Sequence, residues 1–346
     1  MSTDRRKLDH IRICLSEEVE AGASGFEDVV LIHSALPEVD LEKVRLETRF
    51  LGRRIAMPVF IAAMTGGHEE ARKINENLAL AAQELDIPLG VGSQRAAIED
   101  ERLADTFSVA RKVAPEAYLI ANLGAVQFSK GYSVKHAEKA IDMISADAIA
   151  LHLNPLQEAC QKEGDTSFEG AGEAIAELCE ALDVPVIVKE TGAGIAAEEA
   201  ALLQEAGVSA IDVGGAGGTS FALVESYRGG ELGRRFASWG IPTAVSVVEC
   251  STSVDVPVFA TGGVRSGVDV AKAIALGASA CGIALPLLRH AVRDSESVVR
   301  ALRRVECELR VAAFLTGSRS VEELSRARHV ILGRTREWLE ARGILR

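Results

Sequence analysis

The stretch Asp183-Val-Pro-Val-Ile-Val188 begins with an acidic turn residue, reaches a proline and continues as a short aliphatic run. The same arrangement occurs at residues 86–91 and 255–260, and residues 57–63 repeat the proline and the aliphatic run without the acidic residue. A proline is tolerated at the first residue of a strand, because the N–H group that it lacks is not needed there for the hydrogen-bond ladder of the sheet. Runs that are apolar throughout are typical of strands buried on both faces of a parallel sheet. The stretch therefore predicts one strand of a repeated strand–helix unit.

This unit recurs along most of the chain and predicts a closed barrel. Residues 69–85 carry an apolar stripe at helical spacing, and residues 266–277 open with Ser266 and Asp269 as a capping pair. Eight such units indicate an α/β fold of the (β/α)8 TIM barrel type. The strands are expected near residues 58–63, 87–91, 117–122, 147–152, 185–190, 209–213, 256–261 and 279–284.

The remaining segments flank the barrel or interrupt it. Residues 1–57 predict an N-terminal basic leader that covers the barrel mouth, and residues 58–346 predict the barrel with C-terminal helices. Within the leader, residues 29–32 form an apolar island and residues 44–50 are an expected strand. Two longer insertions follow the fourth and sixth strands, at residues 154–170 and 214–239.

The composition disfavours several classes of protein. The net charge is −12 and the isoelectric point is near 5.2, which argues against a nucleic-acid or anionic membrane surface. The six cysteines show no zinc-ligand spacing, so we expect reduced thiols in a cytoplasmic protein. No segment has the pattern of a signal region or a membrane span. A small-molecule partner is expected, with no nucleic acid and no membrane.

In such a barrel, the chemistry lies on loops that leave the carboxyl ends of the strands. The loop after the fourth strand presents His152, Asn154, Gln157 and Glu158 within seven residues. Taken singly, Asn154 suits a turn before Pro155 and Glu158 suits a helix N-terminus. The other strand ends also carry glycine or polar residues, which indicates a functional face. These loops are residues 64–67, 92–95, 122–125, 189–192, 214–219, 261–265 and 282–286.

A phosphate site is predicted after the seventh strand. Gly262 and Gly263 allow main-chain N–H groups to approach an anion, and Arg265 can pair with it. A tight turn is the alternative role of the glycine pair. The sequence Gly192-Ala-Gly-Ile-Ala-Ala197 also matches a dinucleotide-binding loop, but that interpretation leaves the other strand ends without a role.

Cations are expected around the same face. Lys189 ends the fifth strand. Three roles are open to it: a Schiff-base nucleophile, a counter-charge to an anionic cofactor, or a partner of Glu158 or Glu190. Arg95 also belongs to the face. Short basic runs are commonly solvated surface, but a leader folded over the mouth would gather several cations around one diphosphate. The basic run of the leader consists of Arg5, Arg6, Lys7, His10 and Arg12.

With these residues in view, the chain resembles the FMN-dependent type 2 isopentenyl-diphosphate delta-isomerase family from Arg5 to about Leu288. The leader motif Arg6-Lys-Leu-Asp-His10 and the segment His152-Leu-Asn-Pro-Leu-Gln-Glu158 carry the resemblance. Single glycine loops are weak evidence, whereas these two motifs in this order are specific. Further matches are Met64-Thr-Gly-Gly67, Gly92-Ser-Gln-Arg95, Lys189-Glu190, Gly214-Gly-Ala-Gly-Gly-Thr219 and Gly262-Gly263.

The resemblance implies interconversion of isopentenyl and dimethylallyl diphosphate with reduced FMN, NADPH as reductant and Mg2+ bound by Glu158. It also implies a homo-oligomer, a tetramer or an octamer. Catalytic roles are implied for Gln157, Glu225 and His152. Cofactor contacts are implied for Met64, Thr65, Gly66, Ser93, Asn122, Lys189, Thr219, Gly262, Gly263, Arg265, Ala284 and Leu285. Substrate contacts are implied for Arg6, Lys7, His10, Ser93, Gln94, Arg95, His152, Asn154 and Gln157.

The double-bond shift requires one proton to be added and another to be removed at a neighbouring carbon. No His/Asp relay is evident, so reduced flavin is expected to carry the proton, with Gln157 orienting the substrate and Glu225 as a second acceptor. Three alternatives remain. A 2-hydroxy-acid oxidase would need a histidine after the sixth strand, a purine-nucleotide dehydrogenase would need a cysteine in a mouth loop, and a flavin-binding barrel would lack turnover.

Overall fold

A computed structural model describes residues 3–345 of the chain, and eight parallel strands close into a barrel in the order β10-β11-β4-β5-β6-β7-β8-β9. The strands in chain order are β1 Val29–Leu31, β2 Thr48–Phe50, β3 Arg53–Ile55, β4 Val59–Ile61, β5 Leu89–Gly90, β6 Leu119–Gly124, β7 Ala148–His152, β8 Val186–Lys189, β9 Ala210–Asp212, β10 Val258–Ala260, β11 Ala280–Ile283 and β12 His329–Ile331.

Helices surround the barrel and follow its strands. They are α1 Thr3–Ser16, α2 Glu69–Leu85, α3 Arg95–Glu99, α4 Asp105–Val113, α5 Ala125–Phe128, α6 Val134–Ile144, α7 Pro155–Cys160, α8 Ala171–Ala181, α9 Ala197–Glu205, α10 Phe221–Tyr227, α11 Thr243–Ser251, α12 Gly267–Ala275, α13 Leu285–Ala291, α14 Ser295–Leu315, α15 Val321–Leu324 and α16 Gly333–Ala341. Short 3-10 helices occupy Phe26–Asp28, Leu41–Lys43 and Glu101–Leu103. None of the helices so described is long and apolar enough to cross a membrane.

The predicted TIM barrel is confirmed, and each predicted barrel strand overlaps an observed one, although β6 runs two residues beyond its predicted end. Helix α2 covers the predicted residues 69–85. Helix α12 starts at Gly267, and Ser266 and Asp269 form the expected reciprocal capping box. These elements were predictable because apolar periodicity and local capping both determine them.

The barrel interior is divided into an apolar lower part and a polar upper part. At the bottom, Phe50 from the β2–β3 hairpin stacks on Phe259 with ring centroids 4.6 Å apart. Phe60 and Tyr118 also contact the Phe50 ring, with centroid distances of 5.6 Å and 5.5 Å. The leader therefore plugs the amino-terminal end of the barrel, a role that the expected strand at 44–50 did not reveal.

The leader also joins the C-terminal part of the chain. Strand β1, within the apolar island 29–32, pairs antiparallel with β12, so that Val30 lies opposite Val330. The sequence offered no signal for this pairing, because both strands have only three residues and lie far apart in the chain. The division of the chain at residue 57 remains a prediction, although leader residues pack against the barrel and the C-terminal helices.

Register places polar residues at the upper end of the barrel interior. His152 of β7 lies opposite Lys189 of β8, and Lys189 lies opposite Asp212 of β9. Residues that are paired across parallel strands point to the same face of the sheet, whereas consecutive residues along one strand point to opposite faces. Two residues below, Ala150 and Ile187 belong to the apolar interior. The polar side chains are thus held at the carboxyl end, where a cavity opens between the strand ends.

Candidate functional site

A cavity of about 220 Å³ opens at the carboxyl ends of the barrel strands. Its floor includes Lys189 and Thr261, and its roof includes helix α1 of the leader. The structure brings most of the predicted site residues to this one cavity. Those lining it are Arg6, Lys7, His10, Met64, Thr65, Ser93, Arg95, Asn122, His152, Asn154, Gln157, Glu158, Lys189, Thr219, Gly262, Gly263, Ala284 and Leu285.

Helix α1 places basic side chains over the cavity. Lys7 donates a hydrogen bond to the carbonyl oxygen of Ser93 at 3.4 Å. Burial and, to a smaller extent, the neighbouring charges of Arg6 and Arg95 together lower the pKa of Lys7 to about 8. Bringing three cations this close is unfavourable without a counter-charge. The roof of the cavity is therefore suited to an anion with several charges.

The segment after β7 gathers amide and carboxylate groups. Glu158 is 7% exposed, and its oxygens accept hydrogen bonds from Asn154 Nδ2 at 2.9 Å and from the N–H of Asp165 at 2.7 Å. Asn154 Nδ2 also lies 3.2 Å from Gln157 Oε1. These contacts orient the three side chains as one group.

The donor set at Glu158 fits a metal only in part. Within residues 3–345, no three His, Cys, Asp or Glu side chains are grouped as metal ligands. Mg2+ is commonly bound by one or two carboxylates together with phosphate oxygens and water. A single Glu158 beside a diphosphate-binding surface meets that description, so Mg2+ fits here only as a metal shared with a bound diphosphate.

Gln161 is a site residue that the sequence interpretation missed. Its amide oxygen accepts from Arg6 at 2.9 Å and its amide nitrogen donates to Glu225 Oε1 at 3.2 Å, in the orientation that satisfies both neighbours. The position follows Gln157 by four residues and comes directly after the last residue of α7. That spacing was the available signal. Gln161 thus links the leader to helix α10, which follows the sixth barrel strand.

Glu225 lies behind His10 rather than on the cavity wall. It is 1% exposed, lies 2.8 Å from His10 Nε2 and accepts from Arg228 at 2.5 Å. Burial alone would raise its pKa, but the bond with His10 and the charge of Arg228 outweigh burial and hold the pKa below its usual value. The expected role of Glu225 as a second proton acceptor stays a prediction, and in this structure His10 lies between Glu225 and the cavity.

His152 is held in a neutral state. Its Nδ1 atom lies 2.8 Å from Asn122 Oδ1, a contact that fixes the ring. Burial lowers the pKa of His152 to about 3, and the positive charges of Lys189, Lys7 and Arg6 add to that effect. The imidazole can therefore donate or accept a hydrogen bond in the cavity without carrying a charge.

Lys189 emerges from the end of β8 between His152 and Asp212. Its Nζ donates to the main-chain oxygen of Glu190 at 2.8 Å. The Glu190 carboxylate instead accepts the N–H groups of the next three residues, Thr191 to Ala193. Burial raises the pKa of Glu190 to about 7. The expected ion pair between Lys189 and the carboxylate of Glu158 or Glu190 is not formed, so the ammonium stays available at the cavity floor.

Close main-chain approach forms a cradle at the ends of β9 and β10. A Cβ atom on Gly218 would lie 2.4 Å from the nitrogen of Gly263, and Gly263 has a φ of +72°. A side chain at either position would displace the backbone. Thr65 Oγ1, on the cavity wall, is buried with no hydrogen-bond partner among the described residues. A glycine cradle, an unpartnered hydroxyl and a lysine at the floor together fit a flavin nucleotide with its phosphate at the cradle.

Three other predicted residues do not reach the cavity. Arg265 donates hydrogen bonds to Glu20 at 2.7 Å and to the carbonyl oxygen of Gly263 at 2.6 Å, so it stabilises the loop from outside the cavity. Gln94 is fully buried and bonds the main chain of Ala140 and Asn122. Gly66 packs under a phenylalanine, since an added Cβ would lie 1.9 Å from that ring. Position in a loop does not determine side-chain direction, so the ligand contacts implied for these three residues stay predictions that the cavity lining does not support.

Gln127 is a second residue that sequence reasoning missed. It lies in α5, is 7% exposed and lines the cavity. A Cβ on Gly124 would lie 2.3 Å from Gln127 Oε1 and 2.9 Å from His152 Nε2. Glycine at 124 therefore leaves room for both side chains at the wall. No local pattern distinguishes Gln127 from an ordinary helical glutamine.

Comparisons of the chain with a family model, with related sequences and with solved structures agree with one another. Residues 15–126 and 136–331 match the model of the FMN-dependent dehydrogenase family. The chain is 51% identical to an isopentenyl-diphosphate delta-isomerase of Archaeoglobus fulgidus, over 99% of this chain and 100% of that protein. It is 53% identical to one of Methanothrix thermoacetophila, over 99% and 98% of the two chains. A mandelate oxidase variant with an FMN adduct shares the fold, with a TM-score of 0.65 and 20% identity over 96% of this chain and 93% of that one.

Proposed function

Because the chain belongs to the isopentenyl-diphosphate delta-isomerases of the FMN-dependent dehydrogenase family, we propose that it interconverts isopentenyl diphosphate and dimethylallyl diphosphate. The proposal includes bound FMN in its reduced form and Mg2+. The reaction is an allylic double-bond shift, in which a proton is gained at one carbon and lost from another.

The observation that carries the proposal is the pairing of a cationic roof with a single carboxylate. Arg6 and Lys7 from α1 and Arg95 from the wall face the cavity, and Glu158 lies at its side. Arginine and lysine bind diphosphate oxygens through charge-assisted hydrogen bonds. A metal held by one carboxylate completes its ligand shell with those oxygens. This set would fix a diphosphate at the roof and leave a hydrocarbon tail pointing toward the floor.

The residues around the tail would then control its position. His152 is neutral, and Asn154 and Gln157 present amides beside it. These groups bind and orient, but none is a strong acid. Reduced FMN, when bound, supplies the acid–base chemistry of the double-bond shift. Glu225 accepts a proton only through His10, to which it is bonded at 2.8 Å, and this relay is part of the proposal.

Three accompanying expectations rest on the family resemblance. NADPH would reduce FMN, the protein would form a tetramer or an octamer, and it would act in the cytoplasm. Lys189 at the cavity floor supports the reduced cofactor, since an ammonium stabilises the negative charge that a flavin ring gains on reduction. Leader residues that close the roof would also exclude water from the bound pair.

The test is a spectrum followed by an anaerobic assay. The purified protein is expected to show flavin absorbance and to convert isopentenyl diphosphate to dimethylallyl diphosphate with Mg2+ once NADPH has reduced it. NADPH should be needed to start turnover but should not be consumed with each product formed.

A different result in the same assay would identify the alternative class of enzyme. A 2-hydroxy-acid oxidase would consume its substrate with reduction of the flavin and would give no allylic isomer. The end of β9 offers residues 214–219 without histidine, which disfavours that chemistry. A colourless protein that cannot be reconstituted with FMN would contradict the proposal as a whole.

A further inference from the structure

The leader motif of residues 6–10 contains an aspartate, Asp9, that the proposed function leaves without a role. Its neighbours Arg6, Lys7 and His10 line the cavity, whereas Asp9 lies outside that lining. The carboxylate of Asp9 is instead 3.8 Å from the guanidinium of Arg228, the residue that caps the end of helix α10. One residue of the motif therefore faces a second element of the chain rather than the cavity.

Arg228 is a shielded cation that approaches carboxylates from three segments. Its side chain is 7% exposed. One guanidinium nitrogen donates to Glu225 Oε2 of α10 at 2.5 Å, and another lies 3.5 Å from Glu163 Oε2 in the loop after α7. With the contact to Asp9, all three distances are within the range of ion pairs. One guanidinium thus joins α1, α10 and the loop after α7.

The loop that contains Glu163 also orients the proposed metal ligand. The main-chain N–H of Asp165 donates to Glu158 Oε2 at 2.7 Å. Asp165 follows Glu163 by two residues, so a cation that holds Glu163 also restrains the main chain that donates this hydrogen bond. The contacts of Arg228 therefore extend to the proposed metal site as well as to the roof.

The three contacts of Arg228 differ in strength. Glu225 is 1% exposed and lies nearest, so its pair with Arg228 is shielded from water and costly to break. The side chains of Asp9 and Glu163 are 35% and 34% exposed, and water screens these longer contacts. Glu225 is therefore the anchor of the guanidinium, and either outer carboxylate can be altered while that anchor stays in place.

We propose that Arg228 is a positioning residue that couples the two halves of the diphosphate site. Through Asp9 it holds the cations of α1 over the cavity, and through Glu163 it holds the loop that orients Glu158. This inference rests on the proposed function, in which the diphosphate lies between the cations of α1 and a metal at Glu158. Arg228 is outside the residues that line the cavity, so it acts through its partners and touches neither substrate nor metal.

The kinetic test compares three variants of the FMN-loaded protein. Asp9→Asn should raise the KM for isopentenyl diphosphate, measured at saturating Mg2+, by about threefold, the scale of a partly exposed ion pair. Glu163→Gln should raise the Mg2+ concentration for half-maximal activity, measured at saturating substrate, by a similar factor. Arg228→Lys keeps the charge but lacks the forked guanidinium that reaches all three carboxylates, so both constants should rise. The value of kcat should stay constant in all three variants.

Amide hydrogen exchange provides a readout that needs no turnover, substrate or Mg2+. Asp9→Asn should accelerate exchange in α1 and Glu163→Gln in residues 161–170, each by about threefold, whereas Arg228→Lys should accelerate both. Arg111→Lys is the matched control, because Arg111 is 22% exposed and pairs with Asp147 at 2.9 Å, just before the amino-terminal end of β7. This control should change neither segment and neither constant.

Several outcomes would overturn the inference. Arg228→Lys may not accelerate exchange across the whole barrel or lower kcat at constant KM, since either result would assign Arg228 to general stability or to the chemistry. Unchanged exchange in both segments would show that other contacts hold them, and equal effects of Asp9→Asn and Glu163→Gln on both segments would show that the two contacts are not separate. If Arg228→Lys does not fold, the two carboxylate variants decide the matter. A protein with neither flavin nor isomerase activity would refute the proposed function, whereas a flavin-bound isomerase without these effects would refute only the role of Arg228.

Discussion

His10 Nε2 lies 2.8 Å from Glu225 Oε1, and this contact joins the N-terminal helix to helix α10, which follows the sixth barrel strand. The two residues are 215 positions apart in the chain. The side chain of Glu225 is 1% exposed and that of His10 is 14% exposed, so the bond is largely shielded from water. The roof of the cavity thus depends on a buried polar contact as well as on apolar packing.

Loss of that contact should loosen the roof. We expect His10→Ala to accelerate amide hydrogen exchange across α1 by roughly tenfold, the equivalent of about 1.4 kcal/mol, since Glu225 would lose a buried partner. Exchange followed by mass spectrometry provides the measurement. Arg12→Ala is the control, because Arg12 pairs with Glu70 on the exposed side of the same helix. Equal exchange in both variants would mean that apolar packing alone holds the helix.

The cations of α1 should act on substrate binding. Arg6→Ala is expected to raise the KM for isopentenyl diphosphate by at least about tenfold, since a charge-assisted bond to a diphosphate is worth about 1.5–3 kcal/mol. Steady-state kinetics at saturating Mg2+ tests this expectation, again with Arg12→Ala as the control. A KM that is unchanged in Arg6→Ala would assign the basic run to ordinary surface.

Glu158 should serve the metal and not the flavin. Glu158→Gln keeps the hydrogen-bonding size of the side chain but removes its charge, so the Mg2+ concentration for half-maximal activity should rise by at least about tenfold. The protein should remain yellow. A titration of activity against Mg2+ and an absorbance spectrum give the two readouts, with exposed Glu173→Gln as the control. Loss of flavin from Glu158→Gln would contradict the assignment.

The lowered pKa of Lys7 predicts that kcat/KM decreases as the pH rises. Its pKa is lowered to about 8 by burial and by Arg6 and Arg95, so it is charged below pH 8 and neutral above it. The value of kcat/KM, which reports on the free enzyme, should therefore fall as the pH rises through about 8. In Lys7→Met this step should disappear, and kcat/KM should be low throughout. A step that persists in Lys7→Met would belong to another group.

Much of the architecture could be predicted because local rules determine it. The barrel strands follow an apolar pattern that repeats, and the capping box at Ser266 and Asp269 is a contact within four residues. The site was also predictable in outline, because parallel strands deliver all of their following loops to one end. That rule alone brought Glu158 and Lys189 to one cavity.

What could not be predicted depends on distant partners or on side-chain direction. The β1–β12 pairing joins segments that have no common local signal. Arg265 and Gln94 occupy predicted loops, but Glu20 and the main chain of β6 turn them from the cavity. Gln127 could not be predicted, because a glutamine in a helix has no pattern that reveals what its amide will face, and the spacing of Gln161 from Gln157 does not show that its amide contacts Arg6 and Glu225.

The plug at the bottom of the barrel gives a prediction about stability. Phe50 is 1% exposed and lies against three aromatic rings, those of Phe60, Tyr118 and Phe259. Phe50→Ala would remove the stacked ring and leave a cavity, at a cost of about 3–5 kcal/mol in the free energy of unfolding. Leu36→Ala, at a position that is 77% exposed, should change that energy by less than about 0.5 kcal/mol. Urea unfolding followed by circular dichroism compares the two variants.

Because the plug lies at the end of the barrel opposite the cavity, KM should stay constant in Phe50→Ala under conditions where the variant remains folded. A loss of less than about 1 kcal/mol would show that the barrel repacks around the gap and that the leader is not needed to close its base.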